Sequence, residues 1–399
     1  MKNAARNSQY MKMSNRRRIL NIIRKQKIFR AELARQTGLT RAAVTNIIDE
    51  LKQEGIVIER EIGEADYGRK PVMLDINEDR YYAFGLYLSR AGCSLGIVNL
   101  KGGVVIRKQI DISHISSADD ALTIIAAETE SCIAETGIDR DRILGVGISA
   151  PGPLDSAAGI ILDPPNFDIW KGIKISERLR EKTNMKVSLE NNSSALALAE
   201  KDYGIGKDFG SFMLMVVDTG IGAGIIIDDK LYKGVGGFGG EVGHISIDIN
   251  GRRCNCGNKG CLETYASIPA VLKDVSRVCK NISTWEAVVD RAIDGDPFCK
   301  SVIERESAYL AAGIVNVLNL LELEAVVLTG YIRYKPEILI ANIRDIVNAA
   351  SITRGIRDKK IYISSLPEDI DIVSAASLII NEFYSLGGAK NEVEQRCQE

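Results

Sequence analysis

The chain has 399 residues, with 51 Lys or Arg against 53 Asp or Glu and 45 % apolar residues. That length suits two or three domains, and no uninterrupted apolar run approaches the ~18 residues of a membrane span. The basic start lacks the apolar segment of a secretion signal, and eight cysteines, most of them scattered, fit reduced thiols in the cytoplasm better than a disulfide framework.

Charge is unevenly shared. Residues 1–75 carry 16 Lys or Arg against 9 Asp or Glu, and the remainder carries 35 against 44. A module of charge +7 on a body of −9 points to a polyanion partner for the first part, with a merely solvated basic tail as the alternative on charge alone. From Asn15 to Lys25, Ile19, Leu20, Ile22 and Ile23 recur at helical spacing behind Arg16, Arg17 and Arg18. A short helix over about 30–37 turns Leu33 inward. The turn Thr37-Gly38-Leu39-Thr40 follows, with Thr40 as a natural N-cap. In the next helix Val44, Ile47, Ile48 and Leu51 form a single buried stripe. Its other face offers Thr40, Arg41, Ala42, Thr45 and Asn46, short side chains and one arginine suited to base edges and phosphates of a major groove. Residues 55–60 and 71–75 read as strands, with a polar wing between them ending in Gly68-Arg69-Lys70-Pro71. Arg69, with Lys70 beside it, is placed to enter a narrow A·T-rich minor groove. Residues 1–78 are therefore expected to be a winged helix-turn-helix that binds double-stranded DNA.

Beyond residue 80, apolar strands alternate with helical stretches, and the pattern restarts near Phe212. This predicts an α/β body of two lobes, 79–200 completed by a helix at 370–386, and 201–369, with a ligand cleft between them. His244 precedes Cys254, Cys256 and Cys261, three thiols within eight residues with glycines among them. One imidazole and three thiols suit a tetrahedral structural zinc. Closely spaced cysteines alone also occur as inert buried groups. The histidine and the glycines favour the metal. Glu241 and Glu263 flank the cluster without being needed by the ion, and so hint at a polar ligand beside it.

These residues carry a resemblance. The Glu241-x-Gly243-His244 and Cys254-x-Cys256-Gly257-x2-Gly260-Cys261-x-Glu263 signature, with Gly147–Pro153, Pro164-Pro165-Asn166 and Asp218–Gly224, resembles the ROK family (repressor, open reading frame, kinase) in its transcription-factor branch. The resemblance implies a two-lobed, actin-like (ribonuclease H-like) sugar-kinase fold behind the winged helix. It also implies a sugar grip by Asn166, Asn191, Glu241, His244 and Glu263, with one His244 nitrogen on zinc and the other toward the sugar. Family kinases close a Glu-Asn-Asp triplet with the catalytic aspartate, but this chain reads Glu190-Asn191-Asn192. A carboxamide cannot take a proton from an attacking hydroxyl, although Asn192 can still hydrogen-bond a sugar. The phosphate-binding Asp-x-Gly-Gly-Thr is replaced around Gly85–Ala91, with a tyrosine at the aspartate position, and the glycine run near the adenosine by Thr329-Gly330-Tyr331. No catalytic residue is expected. The implied protein is a sugar-responsive repressor of carbohydrate-utilisation genes, a homodimer or homotetramer on an A/T-rich pseudo-palindromic operator, released by a sugar bound between the lobes. The alternative is an active sugar kinase with a fused DNA-binding module.

Overall fold

The computed structural model describes residues 2–61, 72–89, 92–356, 358–367 and 370–389. The described residues form two compact units, one drawn from 1–192 and 369–399 and the other from 193–368.

The first unit opens with α1 (Lys2–Lys25), β1 (Ile28–Phe29), α2 (Arg30–Thr37), α3 (Arg41–Gln53), β2 (Val57–Glu61) and β3 (Val72–Ile76). The three strands pair antiparallel in the order β1-β3-β2. Ile19, Leu20 and Ile23 of α1 are buried with Leu33 and with the Val44, Ile47, Ile48 and Leu51 stripe of α3. Burial of apolar faces, rather than helix propensity, holds helices as short as α2 and α3 in place. Residues 62–71, including Arg69 and Lys70, lie outside the described residues.

The same unit continues with β4 (Tyr82–Leu88), β5 (Cys93–Asn99), β6 (Val104–Ile110), α4 (Ala118–Thr136), β7 (Ile143–Ala150), the short pair β8 (Leu154–Asp155) and β9 (Ile160–Ile161), α5 (Ile175–Thr183) and β10 (Val187–Asn191). Its sheet runs β10-β7-β4-β5-β6, and every residue of β7, between β10 and β4, is buried. Phe84, Leu86, Val146 and Ile148 share one apolar core with Leu122 and Ile125 of α4. The alternate residues of these strands point to the opposite face.

The second unit starts at Ser193, within α6 (Asn192–Tyr203), and continues with β11 (Phe212–Val217), β12 (Ile221–Ile227), β13 (Lys230–Leu231), α7 (Glu263–Ala266), α8 (Ile268–Ser276), α9 (Trp285–Ile293), α10 (Pro297–Leu321), β14 (Ala325–Gly330), α11 (Glu337–Ala350) and β15 (Lys360–Ile363). Its sheet order is β13-β12-β11-β14-β15. Counted within each five-stranded sheet, both run third, second, first, fourth, fifth strand, with antiparallel pairing among the first three and parallel pairing beyond. The restart seen in the sequence is thus a repeated topology.

The chain then returns to the first unit as α12 (Asp371–Ser385). Gly96, Gly85 and Gly147 stand opposite one another on β5, β4 and β7. A Cβ at Gly85 would lie 1.8 Å from the Ile372 carbonyl oxygen, and one at Gly147 would lie 1.9 Å from that of Ala375. This row of missing side chains lets α12 lie directly on the sheet backbone. Toward its C-terminal end, α12 meets the winged helix. Asn381 Oδ1 accepts from Arg24 at 2.8 Å, the Arg24 guanidinium stacks 4.4 Å from the Tyr384 ring centre, and the Gly387 carbonyl accepts from Arg16.

Candidate DNA interface, metal centre and sugar-binding groups

The recognition helix α3 starts where Thr40 Oγ accepts the Ala43 N–H at 3.2 Å, which satisfies one of the free donors of the first turn. Thr40, Arg41, Ala42 and Asn46 are exposed and Thr45 is half-buried, so the expected reading face is presented to solvent. The acid that follows, Asp49, is held by Arg30 at 3.0 Å, and Arg30 also bonds Glu59 at 2.8 Å. Lys52 bonds Glu59 at 2.6 Å. These ties neutralise the carboxylates nearest α3 and draw the Glu59 carboxyl below its usual range, chiefly through Lys52 and then Arg30. The face left to a phosphate backbone is neutral or positive.

In the second unit, His244, Cys254, Cys256 and Cys261 place their ligand atoms within 4.8 Å of one another, a group that can hold a metal ion. Cys254 Sγ lies 3.6 Å from His244 Nδ1, and Cys256 Sγ lies 3.6 Å from Cys261 Sγ. Gly260 makes the loop possible: its φ is +68°, and a Cβ there would lie 1.8 Å from the Asp248 carbonyl oxygen.

The same loop sets the polar groups around it. With Nδ1 turned to the thiols, His244 Nε2 lies 4.0 Å from Glu241 Oε2. Glu263 opens α7 two residues after Cys261, and its Oε2 accepts the Ile221 N–H at 2.9 Å. Partial desolvation pushes the Glu241 carboxyl upward, His244 opposes this, and the nearby Glu263 adds to it. Glu241, His244 and Glu263 therefore form one polar group beside the three cysteines.

Asn166, Asn191 and Asn192 belong to the first unit. Asn191 and Asn192 sit where β10 passes into α6, and Asn166 takes a left-handed φ of 56° just after Pro164-Pro165. Asn192 Oδ1 accepts from the Ser149 hydroxyl at 2.6 Å, and its Nδ2 donates to the Leu88 carbonyl at 3.4 Å. Glu190 is buried, and its Oε1 accepts from the Ser156 hydroxyl at 2.9 Å and from the Asn191 N–H at 3.0 Å. Nothing local in the sequence marks Ser149 or Ser156 for these roles. Both depend on partners more than thirty residues later in the chain. The glycine loop at 218–224 is a tight turn between β11 and β12, where the Asp218 N–H donates to the Gly220 carbonyl at 2.9 Å. Packing accounts for Gly224 there, because a Cβ would lie 2.4 Å from that of Ala197 on α6.

Among known proteins, residues 91–381 match the ROK family and residues 14–58 match a winged helix-turn-helix DNA-binding family. The xylose repressor of Bacillus subtilis is 30 % identical over 380 residues, which covers 94 % of this chain and 97 % of the repressor. A glucokinase of Thermotoga maritima is 31 % identical over 309 residues, covering 74 % of this chain and 96 % of the kinase. The crystal structure of a ROK family transcriptional regulator, described as a homologue of the Escherichia coli MLC protein, superposes with a TM-score of 0.82 at 30 % identity. It covers 96 % of this chain and 99 % of its own. The kinase match covers 74 % of this chain, whereas the two regulators cover 94 % and 96 % of it. The chain belongs to the ROK family, in its transcriptional-regulator branch.

Proposed function

We propose that this protein is a sugar-responsive transcriptional repressor whose winged helix binds operator DNA and whose body senses a monosaccharide without phosphorylating it. The observation that carries the reading is an open recognition face on α3 in a chain whose ROK body holds Asn192 by a hydrogen bond from Ser149; the family resemblance implies an aspartate at that position in the kinases. Asn166, Asn191, Asn192, Glu241, His244 and Glu263 are the residues we assign to the sugar. Amides both donate to and accept from vicinal hydroxyls, and carboxylates accept from them. The end-to-end relation to xylose repressors puts xylose first among the sugars to try. DNA geometry supports a dimer, since paired recognition helices need half-sites one helical turn, or a multiple of it, apart. The operator would then be a pseudo-palindrome, A/T-rich where Arg69 and Lys70 of the wing approach it.

The ion we assign to the cluster is zinc. Tetrahedral bonds of ~2.3 Å to sulfur and ~2.0 Å to nitrogen set ligand–ligand edges of about 3.5–3.8 Å, and two of the ligand pairs here are 3.6 Å apart. All four positions are filled by the protein, so the ion is a brace that orients His244 and leaves its Nε2 for the sugar.

Operator binding by the full chain, scanned against free sugars and sugar phosphates, tests the repressor reading. One free sugar is expected to lower operator affinity by tenfold or more, and DNA binding that no sugar alters would remove the sensing role. The kinase alternative predicts sugar-dependent consumption of a nucleoside triphosphate. Loss of a positioned general base lowers rates by roughly 10²–10⁴, so a coupled assay should show no turnover above background for wild type or Asn192→Ala. Robust turnover by the wild type would establish a kinase.

A further inference from the structure

The fold gives the three consecutive arginines of α1 different duties. Arg16 is 8 % exposed, ion-paired with Glu54 and bonded to the Gly387 carbonyl. Arg18 donates to the Thr37 and Gln36 carbonyls at 2.9 and 3.2 Å, capping the C-terminal end of α2, where a cation is favoured. Arg17 is exposed, and no carboxylate pairs with it among the described residues.

Arg17 belongs to a surface of its own. With Ser14, Arg18, Asn21, Lys25 and Gln36 it lines a shallow concavity of about 380 Å³. The lining holds three cations, a hydroxyl and two amides, and no carboxylate. Residues 14, 18, 21 and 25 recur at three- and four-residue intervals, so the α1 donors form one stripe on one side of the helix, roughly 16 Å long at ~1.5 Å per residue. Through Arg18 this stripe is bonded to the last residues of α2, immediately before the turn that delivers Thr40 and the reading face of α3. A compact anion calls for donors converging on one point. Donors strung along a helix match a row of charges, and a DNA strand presents a phosphate about every 3.4 Å of its axis.

We propose that this side of α1 is a second DNA-contact surface, which holds the phosphate backbone beside the half-site while α3 reads bases. The proposal rests on the DNA-binding reading above and names residues that reading leaves without a task.

The test uses the full chain and two duplexes, a random-sequence 40-mer and a site selected by the wild type from a random pool. Affinity is measured by fluorescence anisotropy across a salt series. Arg17→Gln combined with Lys25→Gln is expected to weaken both complexes by roughly three- to tenfold per charge and to make the slope of log K against log salt shallower by about 1 per contact. Preference for the selected site should stay as in wild type, and Arg17→Lys, which keeps the charge, should keep the slope. Arg41→Ala should instead reduce the preference itself. A double variant with wild-type affinity and slope on both duplexes would overturn the proposal, as would a changed preference at unchanged slope. Failure of the wild type to bind either duplex would overturn the DNA-binding reading along with it.

Discussion

Gly147→Ala is expected to destabilise the first unit by about 3 kcal/mol or more, the upper end of what overpacking a core does. The added Cβ would lie 1.9 Å from the Ala375 carbonyl oxygen and 2.8 Å from its carbon. Both are backbone atoms, so no rotamer change relieves the clash. Relief requires α12 to lift from the sheet, and α12 is seated equally tightly one strand away, where a Gly85 Cβ would meet the Ile372 carbonyl. Lifting the helix uncovers Ile379, Ile380 and Phe383, all fully buried now. Gly137→Ala is the control. That glycine also departs from ordinary backbone geometry, with φ +65°, but a Cβ there meets nothing within 4 Å. Its penalty should be only the ~1 kcal/mol of a left-handed alanine. Thermal denaturation should therefore separate the two variants by several degrees. Equal midpoints would show that α12 yields freely. Because Asn381, Tyr384 and Gly387 also hold α1, Gly147→Ala should in addition weaken operator binding, an effect Gly137→Ala should not share.

Cys261→Ser should abolish stoichiometric metal and lower sugar affinity by about a hundredfold, the upper end of the losses seen when groups supporting a metal site are removed. Cys261 is fully buried, with its sulfur 3.6 Å from that of Cys256. Binding of a structural zinc is worth roughly 10–16 kcal/mol in isolated finger peptides. The core around Trp285, Leu310 and Ile343 is large and should fold without the ion. The loss should therefore fall on the loop from His244 to Glu263, which carries the polar groups assigned to the sugar. Elemental analysis and titration calorimetry read the two effects separately. Cys279→Ser, which alters a half-buried thiol outside the cluster, should leave both unchanged. Wild-type sugar affinity in a metal-free Cys261→Ser protein would show that the ion is no brace for His244.

What the sequence made legible was local. The α3 stripe, the Thr40 cap and the His-Cys cluster each rest on residues close together in the chain, where spacing alone dictates which side chains share a face. The glycine row was not legible, because Gly85, Gly96 and Gly147 become neighbours only through strand pairing, and nothing near them in sequence announces α12. The arginine triplet read as a single basic run for a similar reason. Arg16 is withdrawn from the surface by Glu54 and Gly387, which lie 38 and 371 positions away. Asn192 stood out by its type, but its attachment to Ser149 bridges 43 positions that no short motif spans. The wing residues Arg69 and Lys70 rest on sequence alone.

The return of the chain to its first unit bears on synthesis. Between the end of β10 at Asn191 and the start of α12 at Asp371 lies the whole second unit, 193–368. Ribosomes adding ~5–20 residues per second need roughly ten to forty seconds for such a stretch. Throughout that interval the first sheet is missing the helix that covers its glycine row, and α1 is missing Asn381 and Tyr384. The second unit can meanwhile finish folding, because its strands and helices are consecutive. Each newly made molecule thus completes its sensing body piecemeal, and its DNA-reading head gains the support of α12 only after the whole second unit has been made.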